Sequence, residues 1–420
     1  MNPPSIEQLL RFVLKSYEEK GEIFDIPEKL FYKHWHYHAL YTEKQGKKIH
    51  NPIGISSGPH SQMAQNIITA WLCGARTIEL KTVQPNAIPD RIKPSIDVFD
   101  GAYNCERSQE LSIEQAYDQY VTAWILIHIL QHKLSLETYK RADIGTLFIM
   151  SLGYTLTDIR SDKIQWFIDK MMDCSGEKKE KIKAIKSIYP DVVTLNIPDK
   201  ISDSFIVNTC KGCSARELEY ICKFLVIDKK LHPSIKFSPK LLGYKSVMAI
   251  LSAKNTFEAE ISEEDFENSI QYAEALTLIE KVASISKEMS LEMTVKISNS
   301  LACKNNTAQI PGAASEVYLS GRALHPIAVN LAAKLQTKFE GRLDISFSGG
   351  ASSTNVVNLI QSGFKTITVC TDLLKPGGYG RLNQYFNELS KAFANYQAKN
   401  IREFILKSGN EYGVIDSALE

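Results

Sequence analysis

Residues 344–378, DISFSGGASSTNVVNLIQSGFKTITVCTDLLKPGG, have a pattern that is typical of one class of fold. The stretch starts with a short β-rich run, turns at two glycines and continues in a helical pattern. It then returns through a second β-rich run to Thr-Asp. Strand, helix and strand in this order are typical of a parallel βαβ unit, so this stretch predicts a parallel α/β fold.

The same alternation runs through the rest of the chain. With the two runs above, eight β-rich runs are strand candidates, at residues 52–56, 77–82, 145–150, 204–209, 233–237, 291–298, 343–348 and 366–370. Helical patterns lie between them. Eight such units predict an α/β fold of the (β/α)8 TIM barrel type with N- and C-terminal helical additions, and a doubly wound sheet is the alternative.

The expected domain organisation follows from where the extra length lies. Residues 1–50 would form a helical or hairpin extension packed on the barrel, residues 51–385 the barrel, and residues 386–420 a C-terminal helical extension. One of the helical patterns, residues 263–286, is long enough to be a single helix.

Composition narrows the class of protein. The 420 residues are 44% hydrophobic and 23% charged, with a formal net charge of +1, so neither nucleic acid nor a membrane is expected as a partner. The N-terminal sequence MNPPSIEQLLRFVLKSYEEK is amphipathic and lacks the features of a signal peptide. Eight cysteines without a secretion signal predict reduced thiols in a cytoplasmic protein, and no ferredoxin-type cysteine run is present.

The ends of the last two strand candidates suggest a phosphate site. Gly349 and Gly350 would let backbone N–H groups approach an anion, and a helix opening near Ser352 and Ser353 would favour negative charge. Thr371 follows the next strand candidate, in a turn that corresponds to the Gly349–Gly350 turn one strand earlier. In barrels the loops after strands seven and eight commonly hold a phosphate, although a plain turn with a helix cap is the alternative.

Three polar residues end other strand candidates. Lys81 and Lys236 lie in apolar runs and should point to the barrel mouth, where they suit phosphate or an electron-rich ring better than a metal. The alternative for Lys81 is an exposed side chain or an ion pair with Glu79. Asn299 could bond the edge of a heterocycle through donor and acceptor together, or it could cap a turn.

The stretch NTCKGCSARELE, residues 208–219, contains two cysteines after the fourth strand candidate. No second Cys-x-x-Cys exists for a zinc ribbon, and the context is not a small thioredoxin-like domain. Ser214 and Glu217 form a capping-box pattern, so a helix should start at Ser214. Cys213 would then lie at the helix entrance, where the dipole and the nearby lysine lower a thiol pKa and suit a proton donor. The alternative is that one or both thiols, Cys210 included, simply pack.

The sequence HWHYH offers a possible metal site. His34, His36 and His38 would share one face if they lay in a strand. No carboxylate cluster lies nearby, and a stacking, partly exposed hairpin face is the alternative. We expect no metal.

These segments together resemble a known family. NPIGISSGPHSQMAQNIITAWLCGARTIELKTVQ and AYNCERSQELSIEQAYDQYVTAW are similar to the dihydroorotate dehydrogenase-like FMN flavoprotein superfamily. CKGCSARELEYICKFLVIDKKLHPSIKFSPKLLGY, YLSGRALHPIAVNLAAKL and TVCTDLLKPGGYGRL extend the resemblance over residues 51–381. Within the superfamily the chain most resembles the N-terminal part of the selenate reductase family, which is tied to purine catabolism. It is more distantly similar to the pyrimidine-reducing domain of dihydropyrimidine dehydrogenase.

The resemblance implies FMN at the carboxyl-terminal mouth of the barrel. Residues that match the family's cofactor-binding motifs are expected to contact FMN. These motifs are GISSG, ELKT, YNCE, IKFSP, SNS, LSGRAL and the ends of the last two strand candidates. The implied residues are Ser56, Ser57, Lys81, Thr82, Asn104, Lys236, Asn299, Ser320, Gly321, Gly349, Gly350 and Thr371.

The resemblance also implies a proton donor and an electron source. Asn208 begins the active-site loop, Cys213 aligns with the shared catalytic cysteine, and Cys210 is a second candidate. Long members of the family continue into a pyridine-nucleotide, FAD and iron–sulfur portion. Electrons are therefore expected from a partner chain, an iron–sulfur/flavin subunit or a ferredoxin, and a homo-oligomer is possible.

The expected function is an FMN-dependent oxidoreductase with a small heterocyclic substrate. It would reduce, or reversibly dehydrogenate, a conjugated double bond in a nitrogen heterocycle, an oxidised purine first and a pyrimidine second. Two other classes stay open, a metal-dependent barrel hydrolase using the three histidines and a non-catalytic flavin electron-transfer subunit.

Overall fold

Eight parallel strands close into a barrel in the computed structural model, which describes residues 2–83, 96–98, 110–136, 144–153, 155–208, 213–253, 260–304 and 316–412. Each strand pairs with its neighbours in chain order, and the eighth pairs with the first. The strands are β1 Ile53–Ile55, β2 Thr77–Glu79, β3 Leu147–Leu152, β4 Ser204–Asn208, β5 His232–Phe237, β6 Thr294–Ile297, β7 Ile345–Phe347 and β8 Thr366–Val369. The predicted TIM barrel is confirmed, and the doubly wound alternative is wrong because the sheet closes.

All eight strand candidates are strands, with shifted ends. β3 continues two residues past the expected end, to Leu152, and β6 is shorter than the pattern at both ends. Nearly every residue of these strands is buried. A parallel sheet covered by helices is buried on both faces, which explains why its strands appear in the sequence as apolar runs.

Fourteen α-helices lie in the described residues. They are α1 Ile6–Lys20, α2 Ala64–Leu72, α3 Ile113–Lys133, α4 Leu156–Ile159, α5 Asp162–Met172, α6 Ser175–Ile185, α7 Ala215–Ile227, α8 Tyr244–Ser252, α9 Glu264–Glu267, α10 Tyr272–Glu288, α11 His325–Lys338, α12 Val356–Gln361, α13 Leu382–Asn395 and α14 Ile401–Tyr412. The pattern at residues 263–286 is two helices rather than one, because Gln271 caps α10 and its side-chain amide bonds carbonyl groups at the end of α9. None of the helices within these ranges is both long and apolar enough to cross a bilayer.

Several elements lie outside the barrel. Before β1 come α1 and two antiparallel hairpins, Glu22–Ile23 with Ile26–Pro27 and Thr42–Lys44 with Lys47–Ile49. A three-stranded sheet, here called the mouth sheet, joins Ile96–Val98, Glu316–Ser320 and Leu301–Lys304. The domain boundaries expected from the sequence remain predictions.

Tyr385 of α13 ties the C-terminal helices to the end of β8. Its hydroxyl lies 2.9 Å from Asp372 Oδ2 and 3.0 Å from the carbonyl oxygen of Ala351. Arg381 also donates to Asp372, at 2.9 Å. Asp372 is buried, so this carboxylate has a structural role behind the barrel mouth.

Candidate functional site

A cavity of about 490 Å³ lies at the carboxyl ends of the barrel strands. Residues from β4 and β5, the loops after β1, β2, β6, β7 and β8, and the mouth sheet line it. Its volume is in the range of small-molecule and cofactor pockets. In barrels of this kind the same face carries the chemistry.

The structure brings most of the sequence-predicted site residues to this cavity. Those that line it are Ser56, Ser57, Lys81, Thr82, Asn208, Lys236, Asn299, Ser320, Gly321 and Thr371. Gly349, Gly350 and Cys213 are not among the described lining residues. Asn104 and Cys210 lie outside the described residues.

Lys81 and Lys236 are the cationic residues deepest in the cavity wall. Lys81 is 5% exposed and Lys236 is 9% exposed, so the alternative of an exposed Lys81 is wrong. The suggested pair between Lys81 and Glu79 is also wrong, because the Glu79 carboxylate binds Lys296 of β6. Lys236 lies beside Asn208 in the β4–β5 ladder.

Hydroxyl groups form a connected part of the wall. Thr82 Oγ1 lies 2.7 Å from Ser151 Oγ, which also accepts from Asn208 Nδ2 at 3.4 Å. Ser56 Oγ lies 2.7 Å from Thr368 Oγ1. These bonds hold Thr82, Asn208 and Ser56 in defined orientations at the cavity surface.

Asn299 lies in the turn that follows β6. Its Oδ1 accepts a hydrogen bond from the backbone N–H of Ser300 at 3.1 Å, as a turn cap does. The residue also lines the cavity.

Two glycine turns approach each other closely at the cavity wall. Gly321 and Gly350 both have a positive φ, +73° and +68°. A Cβ on Gly350 would lie 2.4 Å from the carbonyl oxygen of Gly321, so only glycine permits this approach. Gly321 lines the cavity, and Gly350 packs against Gly321 without lining the cavity itself.

The helix expected to open near Ser352 starts later. Helix α12 begins at Val356, and Asn355 Oδ1 accepts from the backbone N–H of Ser352 at 2.9 Å. Ser352 and Ser353 therefore precede the helix rather than open it, and the anion expected there stays a prediction. The turns that carry Gly321 and Thr371 line the cavity.

Cys213 precedes helix α7, as the sequence predicts. Ser214 is the N-cap, and its hydroxyl accepts from the backbone N–H of Glu217 at 3.1 Å. Only this half of the capping box forms, because Glu217 Oε1 accepts from the backbone N–H of Leu156 instead. The Cys213 thiol is half-buried and lies 3.9 Å from the carbonyl oxygen of Ser214.

Sequence reasoning missed several residues of the cavity region. Glu316 and Tyr318 line the cavity together with Ser320 because alternate residues of a strand share a face. The Tyr318 hydroxyl donates to Glu316 Oε1 at 2.6 Å. The alternation in EVYLS was a signal that could have identified them.

Lys296 and Glu79 were also missed. Both are buried in the barrel, and they form an ion pair below the cavity. Lys296 carries the same signal as Lys236, a lysine in an apolar strand run.

The histidines of HWHYH do not form the suggested strand. Residues His34–Leu40 form two short 3-10 turns separated by a kink at Tyr37, in which His34 is buried while His36 and His38 are exposed. His34 stacks on His50, and its ring nitrogens lie 2.5 Å from the Tyr41 hydroxyl and 3.0 Å from the Leu136 carbonyl oxygen. The hairpin face is therefore wrong, although the stacking is present.

The metal-dependent hydrolase alternative has no ligand set in the described part of the chain. There, no group of three or more His, Cys, Asp or Glu side chains is arranged to hold a metal ion. Of the histidines that suggested this alternative, His34 is buried while His36 and His38 are exposed.

A closed parallel barrel with a polar cavity at its carboxyl end defines the class of protein, a TIM barrel with a DHODH-like fold. The chain is similar in structure to the ligand-free DHODH from Eimeria tenella, with a TM-score of 0.54 and 14% sequence identity. The alignment covers 95% of this chain and 98% of that chain.

Residues 24–413 match the family described as oxidoreductase YgfK, N-terminal TIM-barrel domain, and the chain belongs to this family. It is 36% identical over 421 aligned residues to a protein described as "Putative oxidoreductase YgfK" in Escherichia coli strain K12, and equally to its counterpart in Escherichia coli O157:H7. Each alignment covers 93% of this chain and 39% of the relative, so the chain spans about two-fifths of their length. The resemblance stated from the sequence is confirmed.

Proposed function

We propose that the chain is an FMN-dependent oxidoreductase acting on a small nitrogen heterocycle. The family description as an oxidoreductase and the DHODH-like fold support this class of activity. The observation that carries the proposal is the pair of buried lysines, Lys81 and Lys236, in the wall of a cofactor-sized cavity.

The residues of the cavity fit FMN in chemistry. Lysine side chains complement a phosphate and the electron-rich ring, and hydroxyl and amide groups suit the ribityl chain and the ring edge. Gly321 and Thr371 line the cavity, and we assign the phosphate to the backbone N–H groups of their turns and to the Thr371 hydroxyl. When bound, FMN would supply the hydride chemistry, while the protein orients and tunes it.

A comparison of FMN with riboflavin, which lacks the phosphate, tests this assignment. We expect FMN to bind at least about tenfold more tightly, since charge-assisted contacts to phosphate are each worth roughly 1.5–3 kcal/mol. Thr371→Val should reduce the preference for FMN over riboflavin, because it removes a hydroxyl that we propose donates to the phosphate. Lys236→Met should weaken both ligands alike, because we propose that this lysine contacts the flavin ring. Equal, weak affinity for both ligands in the parent protein would contradict the proposal.

The proposed substrate is a heterocycle with a conjugated double bond, an oxidised purine first and a pyrimidine second. Asn208 and Asn299 line the cavity, and each side chain offers both a donor and an acceptor for amide-like ring edges. Asn104 is assigned the same role, although it lies outside the described residues.

Cys213 is the proposed proton donor, and Cys210 is the second candidate. The thiol would give its proton to the substrate carbon next to the one that receives hydride. We expect Cys213→Ala to lower turnover by roughly 10²–10⁴-fold while FMN binding is retained. Cys210→Ala is the matched comparison, and the variant that keeps parental turnover is not the donor.

We further propose that electrons arrive from an iron–sulfur/flavin subunit or a ferredoxin. This is an expectation for the whole assembly, since the relatives are much longer than this chain. Reduction of the isolated, FMN-loaded chain by NAD(P)H at full catalytic rate would contradict it.

A further inference from the structure

An ion pair crosses the interior of the barrel beneath the cavity. Lys296 extends from β6 and Glu79 from β2, strands that stand opposite each other in the closed order of eight. Both side chains are 1% exposed. Burial lowers the pKa of Lys296, while Glu79 opposes the shift.

The pair is bonded to the turn that follows β1. Glu79 Oε2 accepts a hydrogen bond from the backbone N–H of Ser57 at 3.3 Å. On the other side, Lys296 donates to Thr368 Oγ1, which lies 2.7 Å from Ser56 Oγ. Ser56 and Ser57 are therefore held from two directions, and both line the cavity.

Stability alone does not explain this arrangement. A buried ion pair is often no more stabilising than a well-packed apolar pair, because both charges lose their hydration. Apolar side chains in the same places could fill the space. They could not accept from the Ser57 backbone or donate to Thr368.

We propose that Glu79 and Lys296 are positioning residues that hold the Ser56–Ser57 turn in place as part of the FMN site. The inference rests on the proposed function, because the expected effect of the ion pair is tighter binding of FMN. The pair does not touch the cavity itself and acts through the two serines and Thr368.

The test compares Lys296→Met, Glu79→Met and the double variant with the parent protein. Each single variant should lower the thermal midpoint, because it leaves one buried charge without its partner. The double variant should recover most of that loss. It should still show faster hydrogen exchange at the Ser57 amide and at least about tenfold weaker FMN binding, since the bonds to the turn are absent.

Lys44→Met is the matched control. Lys44 is also a buried lysine, and it donates to Thr366 at 3.2 Å and lies 3.7 Å from Asp344 at the opposite end of the barrel. This variant should lower the thermal midpoint but leave Ser57 exchange and FMN affinity unchanged.

Two outcomes separate this inference from the proposed function. If the parent binds FMN and a folded double variant has parental Ser57 exchange and FMN affinity, the positioning role is wrong. If the parent does not bind FMN, the proposed function fails and the cofactor part of the inference fails with it. Exchange at Ser57 then still decides whether the pair holds the turn.

Thr368→Val provides a second variant if the double variant does not fold. It removes the hydroxyl between Lys296 and Ser56 while nearly conserving the side-chain volume. We expect weaker FMN binding in a folded protein. Unchanged affinity would overturn the link through Thr368.

Discussion

His60 is a buried histidine beside the cavity wall. Its Nε2 lies 3.1 Å from the Val369 carbonyl oxygen, and its Nδ1 lies 3.7 Å from Cys370 Sγ. Burial, together with the positive charge of Lys81, lowers the pKa of His60 to about 4. The folded protein therefore favours the neutral imidazole.

This environment predicts an acid-sensitive contribution to stability. Below about pH 6.5 the unfolded chain binds a proton at His60 that the folded protein does not bind, and the resulting loss of stability accumulates until about pH 4. Over that window the free energy of unfolding should fall by about 3 kcal/mol on account of this residue. Denaturant unfolding of the parent and of His60→Gln at a series of pH values measures it.

The two proteins should differ in the slope of stability against pH, whatever their difference at neutral pH. The parent should lose more stability than His60→Gln as the pH falls from about 6.5 to about 4. Parallel curves would mean that His60 titrates normally in the fold.

Local sequence patterns predicted individual residues unevenly. Lys81 and Lys236 could be selected because a lysine in an apolar strand run must find a polar environment. Lys296 shows the same pattern, but its partner Glu79 is 217 residues away in the chain. A single sequence carries no signal for such a pairing, so the ion pair emerges only from the closed barrel.

At the scale of elements, Gly349 allows helix α11 to approach the end of β7. A Cβ at this position would lie 2.2 Å from the Cβ of Ala328. The His325 ring nitrogen Nδ1 lies 3.1 Å from the Gly349 carbonyl oxygen, which fixes the start of the helix at the same place. The glycine is therefore needed for packing behind the cavity.

Gly349→Ala should destabilise the protein by roughly 1–3 kcal/mol, the usual cost of overpacking. The second substitution Ala328→Gly should recover part of that loss, although glycine inside a helix itself costs about 1 kcal/mol. A double-mutant cycle by denaturant unfolding measures the coupling between the two sites. Additive effects without coupling would show that the two Cβ positions do not compete for space.

The start of a helix could be predicted from the sequence where a nearby side chain caps it. The Ser214 cap was predictable because its hydroxyl bonds a backbone N–H three residues later. The hydrogen bond from the Leu156 backbone N–H to Glu217 was not predictable, because Leu156 belongs to another helix. The late start of α12 depends likewise on Asn355, which turns the chain before Val356.

At the scale of the whole molecule, the order of strands and helices was enough to predict the barrel. Right-handed crossovers in a regular βα alternation leave few other arrangements. The mouth sheet was not predicted, because it pairs Ile96–Val98 with Glu316–Ser320 across most of the chain. It contributes Glu316 and Tyr318 to the cavity, so part of the candidate site was missed with it.

The absorption spectrum of the purified protein, with release and identification of any chromophore, is the decisive measurement for FMN in the cavity. We expect flavin absorption bands and FMN released at close to one molecule per chain. A colourless protein that also fails to take up added FMN would contradict the assignment of the cavity.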